Sequence, residues 1–384
     1  MRIMISCGEA SGDLYAGALA AELLKRVPDA EIFGFGGPRL RAAGGHLLGE
    51  FSRFSVTGLT EALRVLPRSF AMLRHLLDEA RERRPDVFVP IDFPDFNFRL
   101  MAGMRKLGVP VVYYVGPQLW AWRPGRMETI KAAVERVLLI FPFEKEIYRA
   151  AGVDARFVGH PLVDLAKEGM PRSSFLRDRG LVAEAPTVAL LPGSRRNELE
   201  HTVPRMVAAL PLIRARVPDV QFMVACAPNI EDWQFAPLMT AGDGLNRPVL
   251  VHDRTDDVIA SSDVAITASG TATVQCAHHE CPMVVVYRLS PLTYRLGKPF
   301  VKVDTYAMPN LVAGERIVPE LIQDDFTPQR VAYETVALLT DRARQARTRL
   351  ALRRVREQLG APGASGRAAD AVLEVARGAR PASE

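Results

Sequence analysis

Two short loops carry the residues best suited to hold an anion. One reads Pro192-Gly193-Ser194-Arg195-Arg196 after the apolar run 187–191, and the other reads Ala268-Ser269-Gly270-Thr271-Ala272-Thr273 after the run 264–267. Small residues where a strand passes into a helix leave backbone N–H groups bare, and the helix dipole favours a negative charge there. Arg195 adds a planar donor fork that fits phosphate oxygens. Either loop alone reads as well as a plain tight turn. Two of them in one half of the chain, both after strands, point to a diphosphate held by Gly193, Ser194, Arg195, Ser269, Gly270 and Thr271. Neither ends in the Gly-Lys-Ser/Thr of a Walker A loop. Neither is the G-x-G-x-x-G of a dinucleotide dehydrogenase.

The N-terminal half offers carboxylates instead. After the run 2–7 comes Gly8-Glu9-Ala10-Ser11-Gly12-Asp13. Carboxylates accept hydrogen bonds from hydroxyls, so a sugar suits this loop better than a phosphate. Ser11 or Asp13 has a competing role as the cap of a helix beginning at Leu14. After the run 86–91 comes Asp92-Phe93-Pro94-Asp95-Phe96-Asn97. An acidic residue at the carboxyl end of a central strand is a general-base candidate, which assigns that role to Asp92. Asp95 then caps a helix starting at Phe96. No D-x-D spacing occurs, so neither a metal nor a cofactor is expected.

Residues 58–84 form a different kind of feature. Leu63, Leu66, Phe70, Leu73 and Leu77 recur at helical spacing, with Arg64, Arg68, Arg74, Arg81, Arg83 and Arg84 around them. Pro67 is expected to open a new helix. The face fits either packing on a sheet or a basic, apolar patch on an anionic membrane surface or acyl chain, built on Leu66, Phe70, Leu73, Arg68 and Arg74. His278-His279-Glu280 beside Cys276 and Cys281 lacks a standard metal spacing and reads as a helix end. Trp120 and Trp122 read as packing, with a role in a ligand cleft open to them. His160 could face such a cleft.

The elements that position these loops alternate strand and helix. Strands are expected at 2–7, 31–35, 86–91, 109–115, 136–141 and 155–159, and again at 187–191, 220–225, 249–252, 264–267 and 283–287. That order implies parallel sheets with helices on both faces. The class is α/β: two doubly wound, Rossmann-like domains facing a cleft, followed by C-terminal helices. The boundaries are 1–165, a linker at 166–186, a second domain at 187–345 and a helical tail at 346–384. The 49 Lys and Arg against 44 Asp and Glu give a net charge of +5. That mild excess favours acidic partners such as phosphates or anionic lipid. It does not point to nucleic acid, and no zinc-finger, basic-zipper or RNA-recognition pattern occurs. The cysteines Cys7, Cys226, Cys276 and Cys281 form no C-x-x-C. No apolar stretch approaches the roughly 20 residues of a spanning helix, and no secretory leader is evident. A cytoplasmic protein is expected.

Several of these stretches resemble the lipid-A-disaccharide synthase family, bacterial inverting glycosyltransferases of GT-B architecture. They are the Gly8 and Asp92 loops, Tyr114-Val115-Gly116-Pro117-Gln118-Leu119-Trp120-Ala121-Trp122-Arg123, Phe141-Pro142-Phe143-Glu144, the Arg195 and Gly270 loops, and Met308-Pro309-Asn310-Leu311. The resemblance implies transfer of a sugar from UDP-2,3-diacylglucosamine to the 6-hydroxyl of 2,3-diacylglucosamine 1-phosphate. The products are a β-1,6-linked disaccharide phosphate and UDP. It makes Asp92 the base, gives Arg195 and Asn310 functional importance on the donor side, and sets Gly8, Glu9, Ser11, Gly12 and Asp13 on the acceptor side. Gln275 stands where the family pattern usually has Glu, and is read as a ribose contact. The resemblance also implies a peripheral location on the inner membrane and a homodimer with exchanged C-terminal segments. A UDP-sugar epimerase on the same two-lobed fold and a non-catalytic nucleotide- or lipid-binding protein are the competing readings.

Overall fold

The computed structural model describes residues 1–54, 59–119, 124–167, 169–228, 230–242, 247–290, 294 and 305–378, with side chains described outside 53–65 and 124. Two compact units are present. One comprises Met1–Pro161 with Leu359–Glu384, and the other comprises Leu162–Gln358.

The first unit holds seven strands: β1 (Arg2–Cys7), β2 (Glu31–Gly36), β3 (His46–Glu50), β4 (Val87–Ile91), β5 (Val112–Tyr114), β6 (Arg136–Leu139) and β7 (Ala155–Phe157). They pair in the order β3-β2-β1-β4-β5-β6-β7, all parallel. β1 and β4 are buried almost end to end, as strands covered by helices on both faces must be. The second unit repeats the plan with β8 (Thr187–Leu191), β9 (Gln221–Cys226), β10 (Val249–His252), β11 (Val264–Ala268), β12 (Met283–Tyr287) and β13 (Glu320–Ile322), in the order β10-β9-β8-β11-β12-β13. In each sheet the strand order reverses between the first strand and the fourth, β1/β4 and β8/β11. Doubly wound sheets bind ligands in the crevice outside the carboxyl ends at that point.

The units divide the chain differently from the expected boundaries. Residues 166–186 form no free linker. Phe175 and Leu176 on the helix Arg172–Arg177 are buried in the second unit, and the Arg172 guanidinium donates to Asp263 at 2.9 Å. Of the charges that suggested a linker, Arg172 is thus partnered inside the second unit. The tail also splits. Helix Arg342–Gln358 belongs to the second unit, whereas helix Ala364–Gly378 returns to the first. That last helix buries Ala368, Ala371, Val372, Leu373 and Ala376. Its rim is tied by Arg26 to Asp370 and by Arg136 and Arg156 to Glu374.

Pro67 does not start a helix. It lies inside α3 (Leu59–Arg83), whose amphipathic pattern runs through it. Leu76 is fully buried, and Met72, Leu73 and Leu77 pack on the first unit's core. Leu73 therefore leaves the proposed surface patch, while Leu66 at 40% and Phe70 at 47% remain exposed.

Candidate functional site

The register Cys7↔Ile91 sets the loop after β1 beside the loop after β4. Asp92 and Phe93 both adopt left-handed backbone, with φ of 47° and 51°. Such conformations cost a non-glycine residue about 1–3 kcal/mol, and they persist only where the surroundings impose them. Here the Asp92 carbonyl is clamped by two donors, the Asn97 Nδ2 at 2.7 Å and the Tyr113 hydroxyl at 2.8 Å. Asn97 is itself fully buried and accepts from the Ser6 hydroxyl at 2.7 Å. Burial, with the nearby Asp92 charge second, pushes the Tyr113 hydroxyl well above its usual range, so it stays a donor. The turn thus holds Asp92, half-buried, at the carboxyl end of β4. Helix α4 (Pro94–Lys106) starts at a proline two residues earlier than expected, and Asp95 pairs with Arg126 at 2.9 Å.

Gly8 explains how the two loops fit. A Cβ there would lie 2.2 Å from the Phe93 ring, so only glycine lets the ring cover the β1 loop. Helix α1 (Ala10–Arg26) begins four residues before Leu14, with Glu9 extended at its N-cap and half-buried. Ser11 and Gly12 fall in its first turn, and a Cβ on Gly12 would stand 3.2 Å from the Cys7 Cβ. Asp13 departs from its expected role. It is 2% exposed, and its carboxylate accepts from the backbone N–H groups of Gly37 and Arg39 at 2.8 Å and of Leu40 at 3.1 Å. It caps the short helix α2 (Pro38–Ala42), which leaves Glu9 as the carboxylate of this loop. His160 is buried against the rings of Tyr15 and Phe141. Trp120 and Trp122 lie outside the described residues.

In the second unit the register Thr267↔Leu191 brings the other two loops side by side. Gly270, with φ of 146°, caps the helix Thr271–His278, and nothing lies within 4 Å of the Cβ position it lacks. By helix geometry the first N–H groups of that helix have no acceptor within it. The Ser269 hydroxyl donates to the Tyr306 carbonyl at 3.2 Å and ties this loop to the 305–310 segment.

The Gly193 loop differs from expectation. Its N–H groups are not bare, because Glu198 Oε2 accepts from Ser194 N at 3.0 Å and Arg195 N at 3.2 Å. A Cβ on Gly193, whose φ is 129°, would meet that same oxygen at 2.7 Å. The Glu198 carboxylate also lies 3.5 Å from the Arg195 guanidinium, which is half-exposed. Glu198, at the third position of helix Arg196–Arg214, thus caps the N-cap N–H with its carboxylate, the acidic half of a capping box. Its signal in the sequence was a Glu at the third helical position. The half-exposed Arg195 guanidinium and the helix start at Gly270 are the cationic and N–H donor groups of these two loops.

Asn310 also differs. It is 1% exposed, and its amide donates to Val318 O at 2.9 Å and Glu320 Oε1 at 2.7 Å. Its carbonyl oxygen accepts from Ile317 N at 2.8 Å and Val318 N at 3.0 Å. All four hydrogen-bonding positions are taken by the protein. Glu320 then accepts from Tyr306 N and Ala307 N. Asn310 is therefore a positioning residue of the 305–310 segment rather than a ligand contact. Gln275, half-buried on helix Thr271–His278, donates to Asp256. Among the described residues no cluster of three or more His, Cys, Asp or Glu could hold a metal ion. None of their helices is long and apolar enough to cross a membrane.

The family described as lipid-A-disaccharide synthetase matches residues 3–375. The lipid-A-disaccharide synthase of Myxococcus xanthus is 44% identical over 374 residues, covering 97% of either chain. That of Geobacter sulfurreducens is 44% identical over 377 residues, again covering 97% of each. Among solved structures, the UDP-GlcNAc 2-epimerase of Neisseria meningitidis bound to UDP-GlcNAc superimposes with a TM-score of 0.68 at 11% identity, covering 97% of this chain and 100% of that one. The calicheamicin glycosyltransferase superimposes with a TM-score of 0.62 at 17% identity, covering 99% of each. These likenesses show the fold alone, the two-domain α/β GT-B fold. Epimerases and glycosyltransferases share it, so the full-length sequence relatives are what separate the two activities.

Proposed function

The chain belongs to the lipid-A-disaccharide synthetase family, and on that premise we propose the reaction it performs and the residues that perform it. It is a hexosyltransferase using a UDP-sugar donor and a sugar-phosphate acceptor. The donor is UDP-2,3-diacylglucosamine and the acceptor 2,3-diacylglucosamine 1-phosphate. The acceptor 6-hydroxyl attacks C1 of the donor sugar with inversion, giving the β-1,6-linked disaccharide 1-phosphate and UDP.

Asp92 accepts the proton of the attacking hydroxyl. The observation that carries this role is the left-handed Asp92–Phe93 turn, held at the carboxyl end of β4 by Asn97 and Tyr113. A buried scaffold that fixes a carboxylate at a topological switch point is what a general base needs. Glu9, with Gly8, Ser11 and Gly12, lines the acceptor side. As the C1–oxygen bond to UDP breaks, negative charge grows on the diphosphate. The Arg195 guanidinium and the N–H groups at the Gly270 helix start stabilise it, and the backbone N–H groups, fixed in advance, need no reorganisation. Ser194, Ser269 and Thr271 border that site, and Gln275 contacts the ribose.

The exposed face of α3, with Leu66, Phe70, Arg68 and Arg74, rests on the anionic surface of the inner membrane from the cytoplasmic side. A groove of about 460 Å³ beside it is lined by Leu48, Gly49, Glu50, Arg68, Ala71, Met72 and His75. Its lining is mainly apolar, as an acyl chain requires, with Arg68 as the cation that meets the sugar phosphate and Glu50 as a carboxylate on the same wall. The protein acts as a homodimer. Incubation with both acylated substrates, followed by mass spectrometry, tests the reaction. A disaccharide phosphate should appear together with UDP, and only when the acceptor is present. UDP release without acceptor, or an isomerised donor, would overturn it.

A further inference from the structure

The side-chain amide of Gln275 is held in one orientation. Its Nε2 donates to Asp256 Oδ1 at 3.1 Å, and the His279 Nε2 lies 3.0 Å from the same oxygen. Gln275 and His279 stand one turn apart, so both face one neighbour, the helix Thr255–Ala260 that carries Asp256. Asp256 is 22% exposed and His279 only 9%. An ionised carboxylate accepts hydrogen bonds and cannot donate them, so only the NH2 end of the amide can face it. The carbonyl Oε1 of Gln275 is then turned away from Asp256.

We propose that Asp256 and His279 are positioning residues that fix Gln275 as a hydrogen-bond acceptor for the ribose hydroxyls of the nucleotide. The inference rests on the reading of Gln275 as a ribose contact and deepens it. A lone glutamine amide turns about a soft terminal torsion and offers NH2 or C=O with little preference. Clamped by Asp256, it presents one acceptor whose freedom is lost before the ligand arrives. The same geometry says why an amide suits this position. A carboxylate at 275 would stand about 3 Å from the Asp256 oxygen, and two like charges so close cannot both be ionised without cost.

The test uses the full chain and two probes, UDP and 2′,3′-dideoxy-UDP, with affinities from titration calorimetry. Wild-type protein should favour UDP by roughly three- to tenfold, the range of one or two neutral hydrogen bonds. In Asp256→Asn the new NH2 can donate to Gln275, which lets the amide turn over. The preference should fall below about twofold while the affinity for the dideoxy probe stays as in wild type, a pattern that misfolding does not produce. Gln275→Glu should weaken UDP binding, and the double variant Asp256→Asn/Gln275→Glu should restore it. A wild-type preference retained in Asp256→Asn, or tighter UDP binding by Gln275→Glu alone, overturns the proposal. If wild type shows no preference, or Gln275→Ala keeps it, the ribose reading of Gln275 fails and the proposal falls with it. If UDP does not bind at all, the nucleotide reading of the second unit fails.

Discussion

Asn310→Ala separates a positioning role from a ligand contact. The substitution leaves Val318 N and Val318 O without their partner, removes one of the two acceptors of Ile317 N, which keeps Glu315 O at 3.1 Å, and takes one of the bonds to Glu320. Val318 is buried and Ile317 half-buried, so water reaches the site only in part. A buried polar group left unsatisfied costs about 1–3 kcal/mol. Two such groups, at about 1.5 kcal/mol each, give a loss of about 3 kcal/mol. For a unit of roughly 200 residues that lowers the melting temperature by about 6–12 °C, without any ligand present. The assay is thermal unfolding of the unliganded protein followed by calorimetry. Asn310→Asp adds a sign test. It keeps the acceptor for Ile317 and Val318 but sets an oxygen against Glu320 Oε1, where the amide stood at 2.7 Å. Those two carboxyls must share a proton, so their folded-state affinity for it is raised above that of the unfolded chain. Stability supplied by such a proton is present at low pH and lost as pH rises. The variant should therefore lie closer to wild type near about pH 5 than near about pH 8. If Asn310→Ala melts within about 2 °C of wild type while activity collapses, Asn310 touches the ligand and the positioning role is wrong.

Other substitutions probe the remaining parts. Asp92→Asn should lower kcat by about 10²–10⁴-fold, the usual worth of a general base, with UDP affinity nearly unchanged; near-normal turnover in steady-state assays would remove Asp92 from the mechanism. Gly8→Ala should push Phe93 off the β1 loop and cut activity through the Asp92 turn, and adding Phe93→Ala should recover part of it if the 2.2 Å clash is the cause. His278 is 8% exposed and its pKa is lowered to about 4, chiefly by burial. Its folded-state pKa is depressed, so stability is full above the unfolded value near 6.5 and lost as pH falls towards the folded one, by at most about 3 kcal/mol. His278→Gln should flatten that acid limb in denaturant titrations. Phe70→Glu should reduce binding to vesicles containing anionic lipid without changing the melting temperature by more than about 2 °C, since Phe70 is 47% exposed; unaltered vesicle binding would count against the α3 face as a membrane contact.

How much of this was legible in the sequence depended on how far each residue reaches. The buried central strands announced themselves, because parallel strands covered on both faces read as continuous apolar runs. Arg2–Cys7, Thr187–Leu191 and Met283–Tyr287 were read with their observed ends, as was Val249–His252, a half-buried edge strand. β3 and β13 were not. His46–Glu50 sits at a sheet edge, only partly buried and interrupted by Gly49, and Glu320–Ile322 is three residues long. The loops that carry the candidate site were found because an α/β fold puts ligands after its strands.

What those side chains bind was harder to see, for two different reasons. Glu198 acts on N–H groups three and four residues away, so its capping role was present locally in the sequence and simply competed with the phosphate reading of the same loop. Asp13 reaches N–H groups 24 to 27 residues away, across β2. No local pattern encodes that pairing. It exists because β1 and β2 pair in register, Arg2↔Glu31 through Ser6↔Phe35, which delivers the start of α2 to the side of α1. Asn97 is the same case on a longer span, reaching Ser6 across 91 residues through the β1–β4 pairing. A buried polar side chain near a strand end is thus ambiguous until the strand order is known. The order decides whether its nearest unsatisfied partner is a ligand or a neighbouring loop. In this fold Asp13 met a loop, whereas the backbone carbonyl of Asp92 is taken up by Asn97 and Tyr113. Clamping the backbone sets where Asp92 stands at the carboxyl end of β4.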